Sequence, residues 1–316
     1  MQGTILDTDT FDRNDVNLEA FLDLPVQWDF HRSTHPEQVM ERIRHCDIIV
    51  TNKAVLDREN LASAKNLKFI MIAATGTDNI DLDFCRSRQI AVSNVHHYAT
   101  PAVAQHTLGL MLNLLTSQFR YIRDVRSGKW SDSRIFCLLD HPITELEGKI
   151  LGIIGYGVLG KRVARLAQAL GMRVLVGQRP GGPSVPGRWP LHPLLARSDV
   201  VSLHCPLTAD THHLIGVDEF RAMKNTAVLI NTARGAIVDS QALVAALKQG
   251  EIHGAGIDVL ESEPPSRSHV LLQPGIPNLI VTPHNAWASL ESRQRLVDQL
   301  GQNLAGWLEG NPINTV

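Results

Sequence analysis

Residues 145–176 read ELEGKILGIIGYGVLGKRVARLAQALGMRVLV, and the fold turns on how they are parsed. KILGII is a short apolar run of the kind that forms a buried strand, KRVARLAQALG has helical periodicity, and RVLV is a second strand. Between the first strand and the helix stands GYGVLG, with glycines at 155, 157 and 160. Gly155 suits a tight turn, Gly157 lets backbone approach a pyrophosphate, and Gly160 allows close helix packing. A helix starting near Lys161 would aim its N-terminal amides at the phosphates. The competing reading is a glycine-rich turn in an α/β domain with no ligand.

Outward from this turn the chain alternates. Apolar runs at residues 47–51 (DIIVT), 69–73 (FIMIA), 149–154, 174–176, 200–203, 227–231 and 279–282 predict buried parallel strands. Most are separated by helical patterns, the signature of doubly wound α/β architecture. The Pro/Gly-rich residues 180–190 (PGGPSVPGRWP) predict a loop. Only 32 residues follow His284, chiefly one amphipathic stretch with Leu296, Leu300, Leu304 and Trp307 on one face, ended by Gly310 and Pro312. One helix makes no domain, so it is expected to dock on residues 1–98. A long helix from Thr100-Pro101, with Val103, Leu110, Leu114 and Ile122 among its apolar positions, would carry the chain between domains. The expected organisation is a domain of residues 1–98 plus 285–316, interrupted by a dinucleotide-binding domain of residues 99–284. Ligands of such sheets sit at the carboxyl ends of strands, so the crevice between domains is the expected place for chemistry.

Composition agrees with two domains. The 316 residues are 44% hydrophobic, and Lys plus Arg (30) nearly balance Asp plus Glu (32), at a length of about 150 residues per domain. A net charge of -2 gives no hint of a nucleic-acid or membrane-surface partner, which leaves small molecules as the expected ligands. MQGTILDTDTFDRN lacks a signal-peptide pattern and no run is long enough for a membrane span, so a cytoplasmic protein is expected. Cys46, Cys85, Cys137 and Cys205 have no CxxC spacing, which points to reduced thiols and no metal site.

The end of the second strand bears on the cofactor. NAD-binding folds usually place Asp or Glu there, about 20 residues past the glycines, on the ribose 2′-hydroxyl. Here Gln178 stands at that place with Arg179 beside it. A neutral amide does not repel a 2′-phosphate and an arginine fork can pair with one, so NADP(H) is favoured over NAD(H). Alternatively, Gln178 bonds the hydroxyl as a carboxylate would and Arg179 points into water.

Three further stretches place polar residues after strands. INTARGAIVD carries Arg234, GIDVLESEPP carries Glu261 and Glu263, and VTPHNAW carries His284. An arginine fork matches a substrate carboxylate, a histidine exchanges protons near neutral pH, and a carboxylate on a histidine's other nitrogen favours the imidazolium. Singly, each has a structural explanation; their joint occurrence with the glycine turn points to an active site.

In order and type, GYGVLG, INTARG, DVLESEPP and TPHNAW, with ATGTDNID in the first part, resemble the D-isomer-specific 2-hydroxyacid dehydrogenases over nearly the whole chain. The resemblance implies a Rossmann-type doubly wound sheet inserted into a smaller flavodoxin-like α/β substrate domain, and a homodimer. It implies Arg234 as the substrate-binding arginine, Glu263 as the partner of the histidine and His284 as the acid/base. It further implies that the backbone amides of Thr75, Gly76 and Thr77 hold the substrate carboxylate. Val158 and Leu159 fall on the pyrophosphate turn, Cys205, Ala233 and Asp258 on cofactor-lining positions, and Thr107 near the nicotinamide. Gln105 replaces a common Glu and Asn285 a common apolar residue; neither touches the catalytic types.

Within that family, GKWSDSRIFCLLDHPITELEGK and TPHNAWASLESRQRL look most like the glycerate dehydrogenase or hydroxypyruvate reductase branch, so reversible hydride transfer to small 2-oxo acids such as hydroxypyruvate and glyoxylate is expected, without a metal. D-3-phosphoglycerate and D-lactate-type dehydrogenases are the alternatives, and a nucleotide-sensing corepressor-like scaffold is the alternative from another class.

Overall fold

The computed structural model describes residues 1–316, which divide into two compact units, Met1–Ala99 with Trp287–Val316, and Thr100–Ala286. The first unit runs β1 (Gln2–Ile5), α1 (Glu19–Leu22), β2 (Gln27–Phe30), α2 (Pro36–Ile43), β3 (Ile48–Thr51), α3 (Arg58–Ser63), β4 (Phe69–Ile72), α4 (Leu82–Ser87) and β5 (Ala91–Ser93). The second runs α5 (Thr100–Leu115), α6 (Gln118–Arg126), β6 (Ile150–Ile154), α7 (Val158–Ala169), β7 (Arg173–Val176), α8 (Leu191–Arg197), β8 (Val200–Leu203), α9 (Val217–Ala222), β9 (Val228–Asn231), α10 (Ser240–Gln249), β10 (Gly254–Ile257) and β11 (Leu279–Val281). Helix α11 (Leu290–Leu308) returns to the first unit.

In the first unit five parallel strands lie in the order β2-β1-β3-β4-β5, the flavodoxin-like arrangement. Side chains alternate between its faces with the strand period of two. Ile49, Ile70 and Ile72 pack with Val39, Ile43 and Leu61 of α2 and α3. Ile48, Val50, Phe69 and Met71 pack on the other face with Leu296, Val297, Leu300 and Leu304 of α11. The predicted apolar face of the last helix is therefore buried against residues of β3 and β4, and Trp307 stacks on Phe69 with ring centroids 4.9 Å apart.

In the second unit six parallel strands lie in the order β11-β10-β9-β8-β6-β7. Leu229 faces α8, α9 and α10, while Val228 and Ile230 face α5 and α7, so helices cover both faces as a doubly wound sheet requires. A single parallel bridge, Gly177 with Trp189, stands beside β7 where a further edge strand would pair. The strand order reverses between β6 and β8, and the carboxyl end of β6 carries the glycine turn.

Two local expectations change. The long helix from Thr100 is broken: α5 ends at Leu115, Ser117 is left-handed (φ 51°), and Ile122 sits on α6, half exposed. Helix α7 begins at Val158, three residues before Lys161, with Gly157 as its cap.

Candidate active site

All six strands of the second unit are parallel, so their carboxyl ends share one edge, where most of the residues singled out from sequence stand. At the end of β6, Gly155 has φ 94°, and a Cβ there would lie 2.4 Å from the backbone nitrogen of Cys205. At Gly160 a Cβ would lie 2.1 Å from the carbonyl oxygen of Gly155. At Gly157 it would meet nothing within 4 Å. Two glycines are thus demanded by backbone packing, while the third leaves open space directly before the N-terminus of α7. Residues Gly155–Gly160 fit a nucleotide pyrophosphate on this geometry: bare backbone faces outward at Gly157, with Val158 and Leu159 opening the helix whose amides attract anions.

Beyond β7, the amide nitrogen of Gln178 donates to Ser184 Oγ at 2.9 Å and Arg179 is exposed. Sequence reasoning missed Arg188, whose guanidinium lies 5.0 Å from the centroid of the Tyr156 ring in the glycine turn. It follows Gln178 by ten residues across an irregular loop, which no periodicity spans. Cys205, after β8, is buried, and burial pushes its thiol up to about 11. Beside it, burial holds His204 down to about 4, a neutral imidazole with Nε2 2.9 Å from Ser202 Oγ.

The proposed acid/base stands after β11. His284 Nδ1 lies 2.5 Å from Glu263 Oε2, and Glu263 Oε1 accepts the Leu260 amide at 2.8 Å. Both carboxylate oxygens are therefore engaged, and the ring is held through Nδ1. Glu261, the other carboxylate after β10, bonds Ser240 and His269 instead. Burial raises the Glu261 carboxyl, but the bonds from Ser240 and His269 outweigh it and leave the group below its ordinary value.

Arg234 follows β9 and is exposed, with Nη1 donating to the Ala233 carbonyl at 2.8 Å, while Ala233 N is held by Asn231 Oδ1 at 3.0 Å. Its neighbour Gly235 packs so tightly that a Cβ would lie 2.0 Å from the carbonyl carbon of Leu260. Leu260 in turn holds Glu263, so the arginine turn and the histidine pair adjoin through one backbone segment.

Asp258 is buried, and its carboxylate accepts Thr282 Oγ1 at 2.5 Å and the amides of Asn285 and Ala286 at 3.1 and 3.0 Å. Its carbonyl accepts His284 N at 2.8 Å. These bonds close a turn in which His284 takes φ 50°, a left-handed conformation that costs a non-glycine residue about 1–2 kcal/mol. Thr282 gives its one proton to Asp258, so the 3.0 Å contact from His106 Nε2 to Thr282 Oγ1 must be donated by the histidine. Thr107, next in α5, is buried with its hydroxyl on Val103 O (2.8 Å) and Thr232 Oγ1 (3.1 Å).

Thr75, Gly76 and Thr77 belong to the first unit, after β4. Thr75 Oγ1 donates to Val95 O at 2.9 Å and Asn94 Nδ2 to Thr75 O at 2.8 Å. The loop is tied from both sides, yet its three amide N–H groups find no acceptor in the chain.

A Rossmann-type sheet with a glycine cradle at its switch point and a carboxylate-held histidine at the same edge defines a nucleotide-dependent oxidoreductase. The family model for the D-isomer specific 2-hydroxyacid dehydrogenase NAD binding domain matches residues 108–286. A glycerate dehydrogenase of Methylorubrum extorquens is 43% identical, over 96% of this chain and 95% of its own length. A hydroxypyruvate reductase of Blautia hydrogenotrophica is 36% identical over 92% of this chain and 91% of its own. A crystal structure of a Thermus thermophilus protein superposes with TM-score 0.88 at 34% identity, each chain covered in full. The chain belongs to the D-isomer-specific 2-hydroxyacid dehydrogenase family, and its cofactor is a nicotinamide dinucleotide. No helix is long and apolar enough to cross a membrane.

Proposed function

We infer that this chain reduces small polar 2-oxo acids, hydroxypyruvate and glyoxylate foremost, to their D-2-hydroxy acids, and that it prefers NADPH to NADH. The observation that carries the reading is the His284–Glu263 pair, 2.5 Å apart at the strand edge that bears the glycine cradle. The names of the relatives, glycerate dehydrogenase and hydroxypyruvate reductase, support the substrate, and the absence of a carboxylate at Gln178 supports the coenzyme.

When bound, the reduced nicotinamide supplies a hydride to the carbonyl carbon. The Arg234 guanidinium receives the substrate carboxylate in a two-pronged bond, which fixes the reacting carbon. The amides of Thr75, Gly76 and Thr77 are donors suited to the same kind of group. His284, held through Nδ1 by Glu263, gives the Nε2 proton to the carbonyl oxygen as charge develops there, and takes it back in the reverse direction. Such general acid catalysis contributes about 10²- to 10⁴-fold. Val158 and Leu159 would hold the pyrophosphate, and Gln178 the adenosine ribose. Cys205, Ala233, Asp258 and Thr107 would line the cofactor.

The same reading makes the protein a cytoplasmic homodimer. Its support is a run of exposed apolar side chains in one stretch of the second unit's sequence, Trp130, Ile135, Phe136, Leu139 and Ile143. Sedimentation at equilibrium tests it.

The deciding assay follows the absorbance of the reduced nicotinamide. Absorbance is expected to fall when hydroxypyruvate joins the protein and NADPH. A flat trace across a panel of 2-oxo acids with both coenzymes overturns the enzyme reading; equal or better use of NADH overturns the coenzyme preference alone.

A further inference from the structure

The stretch GQRPGGPSVPGRWP, residues 177–190, has two arginines and no carboxylate. It folds back so that its end lies beside β7: Trp189 N donates to Val176 O at 2.9 Å and Gln178 N to Trp189 O at 2.8 Å. The Arg197 guanidinium, 4.9 Å from the Trp189 ring centroid, covers that return. Arg188 is thereby set at the end of β7, partly buried, on the Tyr156 ring and with Nη1 3.4 Å from Gly177 O. No carboxylate lies within ion-pair distance of it, and most of its five donors are unused. Ser184 Oγ accepts from Gln178 at 2.9 Å, so its own proton is available to an acceptor. Arg179 is differently placed: on its limb of the loop, Asp210 Oδ2 stands 2.1 Å from the position of a Cβ on Gly181, an anion beside any phosphate drawn there.

We propose that Arg188, seated on Tyr156 and assisted by the Ser184 hydroxyl, is the principal cation for the 2′-phosphate of the coenzyme. The proposal rests on the NADP reading above and assigns its specificity to a residue outside the strand-end position that usually reads the ribose. The ligand chemistry is a phosphomonoester dianion, for which a planar guanidinium pinned on an aromatic face is preorganised.

The test is calorimetric titration of the full chain with 2′,5′-ADP and with 5′-AMP, which differ only in that phosphate. The wild type is expected to bind 2′,5′-ADP more tightly. Arg188→Met should lower the ratio of the two affinities by about 10- to 100-fold, the loss expected for a charge-assisted bond. Arg188→Lys should recover part of it, and Arg179→Met should change it by less than about threefold. Unchanged thermal melts establish that the variants are folded; if Arg188→Met melts early, the Lys variant and Ser184→Ala, which should weaken 2′,5′-ADP selectively, decide. Retention of the wild-type ratio in Arg188→Met, or its loss in Arg179→Met instead, overturns the assignment while the NADP reading stands. A wild-type ratio near one overturns both.

Discussion

The carboxylate of Asp258 receives the hydroxyl of Thr282 at 2.5 Å from inside the protein. With the amides of Asn285 and Ala286 it gathers three donors, and so fixes the left-handed turn that presents His284. Asp258→Ala is predicted to strand all three and lower the unfolding free energy by about 3 kcal/mol, the scale for breaking a buried charged network. Asp258→Asn, which keeps one acceptor, should lie between. Urea denaturation at constant m value measures it; an alanine variant as stable as the wild type would show the turn to be held by other means.

His284→Ala is predicted to lower kcat by about 10²- to 10⁴-fold while the coenzyme still binds. Glu263→Gln can bond Nδ1 but no longer carries the charge that stabilises the imidazolium, and about 10- to 100-fold is expected. Steady-state rates with coenzyme fluorescence titrations check both. Loss of coenzyme binding in His284→Ala would reveal a structural histidine.

The three glycines of the turn should part company on substitution. Gly160→Ala forces a methyl to 2.1 Å from the Gly155 carbonyl oxygen and should cost about 1–3 kcal/mol of stability. Gly157→Ala meets nothing, so thermal melts should stay close to wild type while coenzyme affinity drops. Equal destabilisation by both would contradict the open space at Gly157.

Acid should weaken the fold through His204. Its imidazole falls from 6.5 to about 4 on burial, so between those values the unfolded chain binds the extra proton and the native one does not. Stability from this group is intact above pH 6.5, declines as pH falls toward 4, and changes no further below. His204→Gln should flatten that part of the stability profile; the same slope in variant and wild type would assign the loss to other groups.

Much of the architecture was legible because buried parallel strands leave continuous apolar runs: DIIVT, FIMIA and KILGII all lie on strands that are covered on both faces. Strands β1, β2 and β5 escaped because QGTI, QWDF and AVS are short and, in β2, largely exposed at the sheet edge. The break at Ser117 had no signal, since neither glycine nor proline marks it. At the candidate site, residue types were readable but contacts were not. Glu261 and Glu263 follow the same strand two residues apart; spacing did not separate them, the family resemblance picked Glu263, and it is Glu263 that meets the Leu260 amide and the His284 ring. Arg188 was hidden for a similar reason, because a loop return brings it to Tyr156.

The contribution of α11 to the first sheet has a consequence for synthesis. On a translating ribosome, Met1–Ala99 emerges ahead of the intervening unit, but Leu296, Val297, Leu300 and Leu304, which pack with Ile48, Val50, Phe69 and Met71, arrive only after it. The intervening unit holds every strand of its own sheet in one contiguous segment and can mature first. The nascent amino-terminal sheet therefore keeps part of one greasy side bare until α11 has been made, which makes it a part of the newborn polypeptide in need of chaperone shelter.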